Sequence, residues 1–403
     1  MIYRYLAVSA VALGICFGFG VDVGAADKKE SPTATIPFDL ELEIVPKAEA
    51  AQIETIIRLT TELMKKRYPG EKPIARGVHP KDHGCVTAKF QVLDCIPEEL
   101  RRGVFAKPGR EYQAFIRYSN ADVLMRADSF EGKHGSRGMA IKLLKVDGDR
   151  LIPKDEPLTQ DFLMVNQPVF AFANVEDYEV LSQVLLDDKD VPTAFFSKRI
   201  KIVDGKPDVR DPATLRALKT GGIVRRIQSL KVDGDKGAFQ EPPGSPEENV
   251  YHSGAPYLFG TGHAMKYSVH PVVDPTAKAP DVSDADYLRK AFAKRLTNPQ
   301  AKDIVLEFRV QVRSKADLKG KLETEIEDAC TEWKDPFVTV ARITIPPQDF
   351  DTEAAKTRCE NLFFTPWHSV KDHRPLGGIN RLKLGVYEAS SALRHFPKEP
   401  SGY

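Results

Sequence analysis

Hydrophobic positions along the chain follow first the period of a helix and then that of a strand. In residues 48–70 they recur every three or four positions and stop before Pro69 and Gly70, which predicts one amphipathic helix. Its apolar positions are Ile53, Ile56, Ile57, Leu59 and Leu63. From Val86 to Val92, apolar and polar residues alternate, which predicts a strand. The pattern therefore runs from a helix that buries one face into a sheet.

The same two periods divide the rest of the chain. Residues 111–119 and 137–146 alternate as antiparallel strands do, and Asp147-Gly148 follows them as a hairpin signal. Helical periods return between about 175 and 230, and again at 284–296 and 377–396, while strands are predicted at 257–269, 303–313 and 337–345. The order of strands, inserted helices and further strands predicts an α+β fold built on an antiparallel sheet, which is either open or closed into a barrel. Because the chain has no repeat and no long linker, a single domain is predicted.

Composition narrows the kind of ligand. The chain has 403 residues, of which 42% are hydrophobic, so it can bury a sizeable core. Lys and Arg number 58 against 57 Asp and Glu. This balance gives no electrostatic footprint for nucleic acid or for an anionic membrane, and it favours a small ligand.

Residues 1–26 have the pattern of a cleaved secretory signal. One arginine precedes an apolar stretch, and small residues ending in Ala25 and Ala26 precede a charged run. The rival interpretation is an uncleaved anchor, although the stretch is short for a span and interrupted by glycines. We therefore predict a periplasmic or secreted protein without a stable membrane span, in which residues 27–403 form a single domain with an N-terminal helical leader.

Four cysteines remain after the predicted cleavage: Cys85, Cys95, Cys330 and Cys359. An even number in an exported chain favours disulfides, and pairing Cys85 with Cys95 and Cys330 with Cys359 is the simplest of three connectivities. Buried free thiols are the alternative. The absence of any CxxC pair argues against a zinc ribbon or a thioredoxin-type site.

The stretch IARGVHPKDHG holds the first candidates for chemistry. Arg76, His79 and His83 lie within eight residues, and two imidazoles four apart could bind a metal, act as acid and base, or be ordinary loop residues. Pro80 and Gly84 make a regular helix doubtful here, and no acidic third ligand has a recognisable spacing. The residues alone leave these alternatives open.

Five motifs, taken together, resemble the catalase family. RGVHPKDHG, FIRYSNAD, RGMAIKL and DFLMVNQPVF follow one another, and PWHSVKDHRPLGGINRLKLGVY comes near the C-terminus. The pattern is closest to the small bacterial catalase-like proteins, relatives of the domain that rearranges fatty-acid hydroperoxides. The resemblance extends from about Arg76 to Arg394. It implies a catalase-like antiparallel β-barrel with inserted and flanking helices, and haem b as cofactor.

The resemblance assigns the residues on the distal side of the haem. His79 matches the catalytic histidine, Ser119 its hydrogen-bond partner, and Val78 a residue over the porphyrin. Arg76 and Arg137 match arginines that bind the propionates. A neutral imidazole can carry a proton from the inner to the outer oxygen of a peroxide, which is the chemistry asked of His79. His83 matches no functional position and is interpreted as structural or surface-exposed.

Two positions depart from the family pattern. Ungapped counting places Val165 at the site of the distal amide, whereas a different threading brings in Asn166, which we predict to be catalytic because a bound peroxide needs a polar partner. On the proximal side, Tyr387 matches the tyrosinate that ligates the iron. Lys383 lies four residues before it, where the family has arginine, and supplies charge without a planar fork. Tyr178 occupies the position of a phenylalanine stacked on the haem.

The resemblance implies an exported haem-dependent peroxidase or catalase-like enzyme. Its substrate is predicted to be hydrogen peroxide or an organic (lipid) hydroperoxide, reacting through an oxyferryl intermediate with an electron donor that the sequence does not identify. The alternatives are a hydroperoxide isomerase or dehydratase of the allene-oxide-synthase type, a low-turnover haem-binding protein, and a haem-free barrel. Assembly into a homo-oligomer stays open.

Overall fold

A closed antiparallel barrel organises the molecule. The computed structural model describes residues 41–70, 74–130, 133–152, 158–187, 193–228, 238–240, 242–272 and 282–394. Its strands are β1 (Asp82–Val92), β2 (Glu111–Asn120), β3 (Ser129–Phe130), β4 (Lys133–His134), β5 (Arg137–Leu144), β6 (Thr159–Val165), β7 (Ile202–Val203), β8 (Lys206–Pro207), β9 (Tyr251–His252), β10 (Tyr257–Leu258), β11 (His263–Pro271), β12 (Ile304–Ser314) and β13 (Val338–Ile345). The order β11-β12-β13-β1-β2-β5-β6-β9 returns to β11 through its pairing with β9, while β10 extends the sheet at β11.

Helices cover the outside of the barrel. They are α1 (Glu49–Arg67), α2 (Val175–Asp187), α3 (Ala194–Arg199), α4 (Pro212–Ile227), α5 (Tyr287–Thr297), α6 (Glu353–Asn361) and α7 (Gly378–Arg394). The helix α1 packs against both α2 and α7, and α6 packs on β1. At Gly385 the approach of α7 to α1 is so close that an added Cβ would lie 2.5 Å from Ile57 Cδ1. This contact fixes the position of α7, the helix that carries Tyr387.

Strand alternation fills the barrel with aromatic side chains. Phe90, Phe162 and Phe308 point inward, with ring centroids 4.8 Å apart for Phe162 and Phe308 and 5.4 Å apart for Phe90 and Phe308. The interior is therefore a packed core. Polar residues of the same strands point outward, among them Arg117 and Ser119 of β2. We call the outward side of β1, β2 and β5 the outer face, and any ligand that these strands bind must lie there.

The predicted fold class is confirmed, as are most of the predicted elements. The helix predicted at 48–70 is α1, and those predicted from VEDYEVLSQVLL and DPATLRALKTGGIVRRIQSL are α2 and α4. β1 begins at Asp82, four residues before the predicted start. β6 and α6 were not predicted, whereas α3 falls within the region of about 175–230 that was predicted to be helical. β5 and β6 pair as the hairpin signal suggested, but the connection is longer than a tight turn and residues 153–157 within it lie outside the described part.

The predicted local disulfides are wrong, since all four cysteines are free thiols. Cys85 lies within β1 and Cys95 lies beyond its end, and the extended strand from Cys85 to Val92 alone spans about 23 Å. Cys330 and Cys359 pack in different hydrophobic clusters. The sulfur that neighbours Cys85 is that of Cys359.

The predicted signal segment, residues 1–26, lies outside the described residues, so export stays a prediction. Within the described ranges, none of the helices has the length and apolar character needed to span a membrane.

Candidate functional site

His79 lies on the outer face against β2 and β5. Its Nδ1 is 3.0 Å from Ser119 Oγ, and its amide donates to the carbonyl of Asp122 at 2.8 Å. The backbone of His79 has φ of 56°, in the left-handed region, where histidine is enriched relative to most residues. Such conformations cluster at functional sites when the surrounding contacts hold them in place.

Gly138 provides the surface on which the imidazole rests. It pairs with Ser119 across β2 and β5, so the two residues share the outer face. A Cβ added to Gly138 would lie 2.5 Å from His79 Nδ1 and 2.8 Å from Ser119 Oγ. The glycine therefore leaves the space that the histidine occupies.

We expect Gly138→Ala to displace the His79 ring and to lower the free energy of unfolding by about 1–3 kcal/mol, because side-chain and backbone atoms must shift. Urea denaturation measures the free energy of unfolding, and the rate of peroxide consumption reports whether displacement of the His79 ring lowers activity. Gly222→Ala is the matched control, since an added Cβ there meets nothing within 4 Å. Equal stability and activity in Gly138→Ala and wild type would contradict this account of the site.

The imidazole of His79 is neutral at physiological pH. Burial lowers its pKa to about 3, and the positive charges of Arg117, Lys383 and Arg76 lower it further in the same direction. The effect of Lys383 means that its ammonium, on α7, lies within electrostatic range of His79. With Nδ1 bonded to Ser119, Nε2 is the nitrogen left to exchange a proton with a ligand.

Five histidines with lowered pKa values predict a loss of stability in mild acid. Burial lowers the pKa of His79 and His252 to about 3 and of His83, His270 and His373 to about 4. In the unfolded chain the imidazoles have pKa values near 6.5. Between pH 6.5 and about 4 the unfolded state therefore binds protons that the folded state does not bind. The contribution of these histidines to the free energy of unfolding is fully present above pH 6.5 and is lost progressively as the pH decreases below 6.5. We expect the melting temperature to drop by at least about 5 °C from pH 7 to pH 5; equal values would contradict it.

Three arginines, one buried and two half-buried, lie near one carboxylate beside His79. Arg76 Nη1 lies 2.6 Å and Arg394 Nη2 2.9 Å from Glu360 Oε2. Arg117 donates to the carbonyl of His79 at 2.9 Å, and its buried Nε has no hydrogen-bond partner in the described structure. We call Arg76, Arg117 and Arg394 the arginine cluster.

The arginine cluster carries more positive charge than Glu360 neutralises. Burial alone favours the neutral acid, yet the three guanidinium groups lower the pKa of Glu360 and keep it ionised. Burial lowers the pKa of Arg394 to about 10, and the neighbouring positive charges of Arg76 and Arg117 act in the same direction. Three guanidinium groups beside one carboxylate, whose side chain is 42% exposed, favour binding of an anionic ligand with one or two carboxylates.

Lys383 and Tyr387 lie one turn apart on α7. Lys383 Nζ donates to Asn380 Oδ1 at 3.0 Å, and burial lowers its pKa to about 8. The hydroxyl of Tyr387 has no hydrogen-bond partner in the described part of the chain, and burial raises its pKa, with Tyr178 and Tyr257 adding to the rise. Arg381 binds Glu43, Glu49 and Glu327 instead, so Lys383 is the cation one turn before Tyr387 on its face of α7.

Aromatic rings border Tyr387. Tyr178 of α2 is half-buried, and its ring stacks on Phe170 with centroids 6.1 Å apart. Phe170 also lies under the ammonium of Lys383, 5.8 Å from nitrogen to ring centroid. The predicted residues Tyr178, Lys383 and Tyr387 are therefore brought together.

Arg137 is not brought to the site. It follows the same strand as Gly138 but is one residue earlier, so strand alternation directs its side chain away from His79. Its guanidinium binds Asn120 Oδ1 at 2.5 Å and the carbonyl of Asp128, at one end of the barrel. The predicted propionate contact of Arg137 thus has no support from this geometry, whereas Arg117 and Arg394 lie beside Arg76.

Asn166 lies with Arg137 and not with His79. Its Oδ1 accepts from the amide of Arg137 at 2.7 Å, and its Nδ2 donates to Asn249 at 3.0 Å. It lines a separate cavity of about 320 Å³. Val165 is the residue that pairs with Gly138 across β5 and β6, and so it lies on the face of His79. The geometry favours the interpretation in which the distal amide is absent.

The two histidines of the first motif lie on opposite faces of β2. His83 is fully buried and its Nε2 is 2.9 Å from Asn120 Oδ1, whereas His79 contacts Ser119. Their rings therefore do not converge on one ion, and within the described ranges no group of three or more His, Cys, Asp or Glu could hold a metal. His83 is a structural histidine. Val78, half-buried beside His79, stays a predicted porphyrin contact.

The sequence analysis did not identify Arg117 and Arg394 as site residues, although strand and helix periodicity place both on the same faces as predicted site residues. Arg117 precedes Ser119 by two residues on a strand, so the two share a face. Arg394 follows Tyr387 by seven residues, two turns along the same face of α7. Glu360 carried no comparable signal, because its place depends on the packing of α6.

Comparison with known proteins shows the fold. No family model and no curated protein matches the sequence. Among solved structures, catalase A from Saccharomyces cerevisiae is similar with a TM-score of 0.55 and 17% identity over 80% of this chain and 61% of that chain. A bacterial catalase has a TM-score of 0.54 and 15% identity over 80% of this chain and 57% of that chain. A fungal catalase has the same TM-score and identity over 82% of this chain and 60% of that chain. The chain thus spans about three fifths of these catalases and has a catalase-like fold.

Proposed function

We propose that this chain is an exported haem-dependent enzyme that acts on peroxides, with haem b bound between His79 and α7. The arginine cluster carries the proposal. It is a group of three cations with one carboxylate, and it is suited to the two propionates of a haem. The space that Gly138 leaves for the His79 ring and the unpartnered hydroxyl of Tyr387 fit the same cofactor on its two sides.

The haem would supply a redox-active iron at which the O–O bond of a peroxide can be broken. Tyr387 would hold that iron through its phenolate oxygen. The neutral phenol of the protein would have to lose its proton for this, and Lys383, one turn earlier on α7, is the cation that would stabilise the resulting charge. A lysine offers a single charge centre without the planar fork of arginine, so the phenolate is held by charge more than by geometry.

His79 would handle the proton of the peroxide. Its neutral Nε2 can take the proton from one oxygen and return it to the other, while Ser119 holds Nδ1 and fixes the tautomer. Hydrogen bonds to the arginine cluster would orient the cofactor by its carboxylates.

Titration with haem tests the proposal through the arginine cluster. We expect one haem per chain, with a high-spin ferric Soret band, and binding of haem dimethyl ester that is at least about tenfold weaker, because esterification removes both anionic charges. Arg117→Leu should lose this preference for the free acid, whereas Arg342→Leu, on β13, is the matched control and should keep it. Absence of a Soret band, or equal affinity for acid and ester in wild type, would overturn the proposal.

The apolar Val165 on the face of His79 favours an organic hydroperoxide and keeps an isomerase or dehydratase as a second candidate. A lipid hydroperoxide distinguishes the two activities. Conversion to the alcohol at the expense of a reductant supports a peroxidase, and conversion to an epoxide or ketol without a reductant supports rearrangement. Mass spectrometry of the products after single additions gives the answer.

A further inference from the structure

Two thiols from distant parts of the chain meet on the outer face of the barrel. Cys85 of β1 and Cys359 of α6 pack in one buried cluster, together with Phe115, Leu144 and Leu362. Their sulfurs are in hydrogen-bonding contact, with the thiol of Cys85 as donor. Two thiols packed in one cluster need only a local movement to reach bonding distance.

The pair adjoins the arginine cluster. Cys85 pairs with Arg117 across β1 and β2, so both side chains share the outer face. Arg76 donates from Nη2 to the carbonyl of Cys359 at 3.3 Å. Positive charge close to a sulfur favours its thiolate, which is the reactive form.

The two sulfurs differ in acidity. Burial alone would raise the pKa of Cys359, but the hydrogen bond from Cys85 and the charges of Arg117 and Arg76 leave it lowered. The same hydrogen bond and burial raise the pKa of Cys85. Cys359 is therefore the nucleophile of the pair, and Cys85 holds its proton until the second step.

We propose that Cys85 and Cys359 form a peroxide-oxidisable dithiol that closes to an intramolecular disulfide and cross-links β1 to α6. The Cys359 thiolate attacks one oxygen of a hydroperoxide, the O–O bond breaks, and a sulfenic acid forms while the other oxygen leaves as alcohol or water after protonation. Cys85 then attacks the sulfenic sulfur, its thiol proton leaves with the hydroxyl as water, and the S–S bond forms. Two thiols are oxidised by two electrons and one peroxide is reduced.

Oxidation would fix the end of α6 that holds Arg76. The carbonyls of Cys359, Glu360 and Leu362 accept from the Arg76 guanidinium, and Glu360 also binds it through its carboxylate. The disulfide would tether this group of acceptors to β1. The redox state of the two cysteines would thereby affect the position of Arg76 in the arginine cluster. This effect does not depend on haem binding.

Cys330 is an internal control. It is buried like Cys359, but burial raises its pKa to about 12, and its sulfur donates to the carbonyl of Ala171 at 3.4 Å. It should therefore remain a thiol under conditions that oxidise Cys359. Cys95 is exposed and could join two molecules, so a Cys95→Ser background removes that reaction.

The test is peptide mass spectrometry of the full chain in the Cys95→Ser background under a sustained low supply of hydrogen peroxide. We expect a peptide pair joined through Cys85 and Cys359, two hydrogens lighter than the thiols and restored by a reductant. Loss of the Cys359 thiol should be at least about ten times faster than loss of the Cys330 thiol. Two thiols that persist, or equal oxidation of Cys359 and Cys330, would overturn the proposal.

Cys85→Ser removes the resolving thiol. A sulfenic acid that dimedone traps on Cys359 is then expected, and its absence in a folded variant would count against the order of steps. The covalent readout needs neither haem nor turnover, so its result is separate from that of the haem titration. Should the variant fail to fold, the wild-type cross-link still decides the proposal.

Discussion

Replacing His79 with alanine is expected to leave haem binding intact and to slow peroxide consumption by about 10²–10⁴-fold, the usual contribution of a positioned acid and base. The imidazole is the group on the outer face that is neutral, held by a serine and left with a free nitrogen, Nε2. Alanine keeps the arginine cluster and Tyr387 in place. Stopped-flow measurement of hydrogen peroxide consumption by haem-loaded protein gives the rate, and the Soret band gives the haem content.

Two further variants grade the effect. Ser119→Ala leaves the imidazole but removes the partner of Nδ1, so we expect a smaller loss, about 10- to 100-fold, as for other groups that orient a functional histidine. His263→Ala changes a histidine at the start of β11, where Nδ1 contacts the carbonyl of Thr261, and should leave the rate unchanged. Unaltered turnover in His79→Ala with full haem content would exclude His79 from catalysis and would favour a low-turnover haem-binding protein.

Replacing Tyr387 with phenylalanine is expected to weaken haem binding by about 100-fold or more and to abolish the tyrosinate-type visible spectrum. The basis is that loss of residues merely supporting a metal ligand already lowers affinity 10- to 100-fold. The substitution removes one oxygen and keeps the ring, so packing on α2 is preserved. Absorption titration with ferric haem measures both the affinity and the bands.

Tyr178→Phe is the matched control for this prediction. Tyr178 is a half-buried tyrosine of α2 that acts on the pKa of Tyr387, and burial raises its own pKa as it does that of Tyr387. We expect this variant to keep the wild-type spectrum. If Tyr387→Phe retained the tyrosinate-type bands and Tyr178→Phe lost them, the iron ligand would be Tyr178 and the assignment from α7 would be wrong.

Several parts of the site were readable from local sequence. The helical period of residues 377–396 placed Lys383 and Tyr387 one turn apart on the same side of α7, and the structure keeps them so. Alternation in FIRYSN also places Arg117 on the side of Ser119, although this signal was not used. The motif match singled out Arg137 and Asn166, which the barrel instead joins to each other, away from His79.

By itself, the sequence determined the kinds and order of most elements, the α+β fold class and the shared helix face of Lys383 and Tyr387. Helical and strand periods arise from backbone geometry over a few residues, so they can be recognised from a short stretch of sequence. Only the tertiary structure decided which faces meet. It joined Arg394 and Glu360 to Arg76, and Cys359 to Cys85, because closure of the barrel and the packing of α6 and α7 bring together residues that no local period relates.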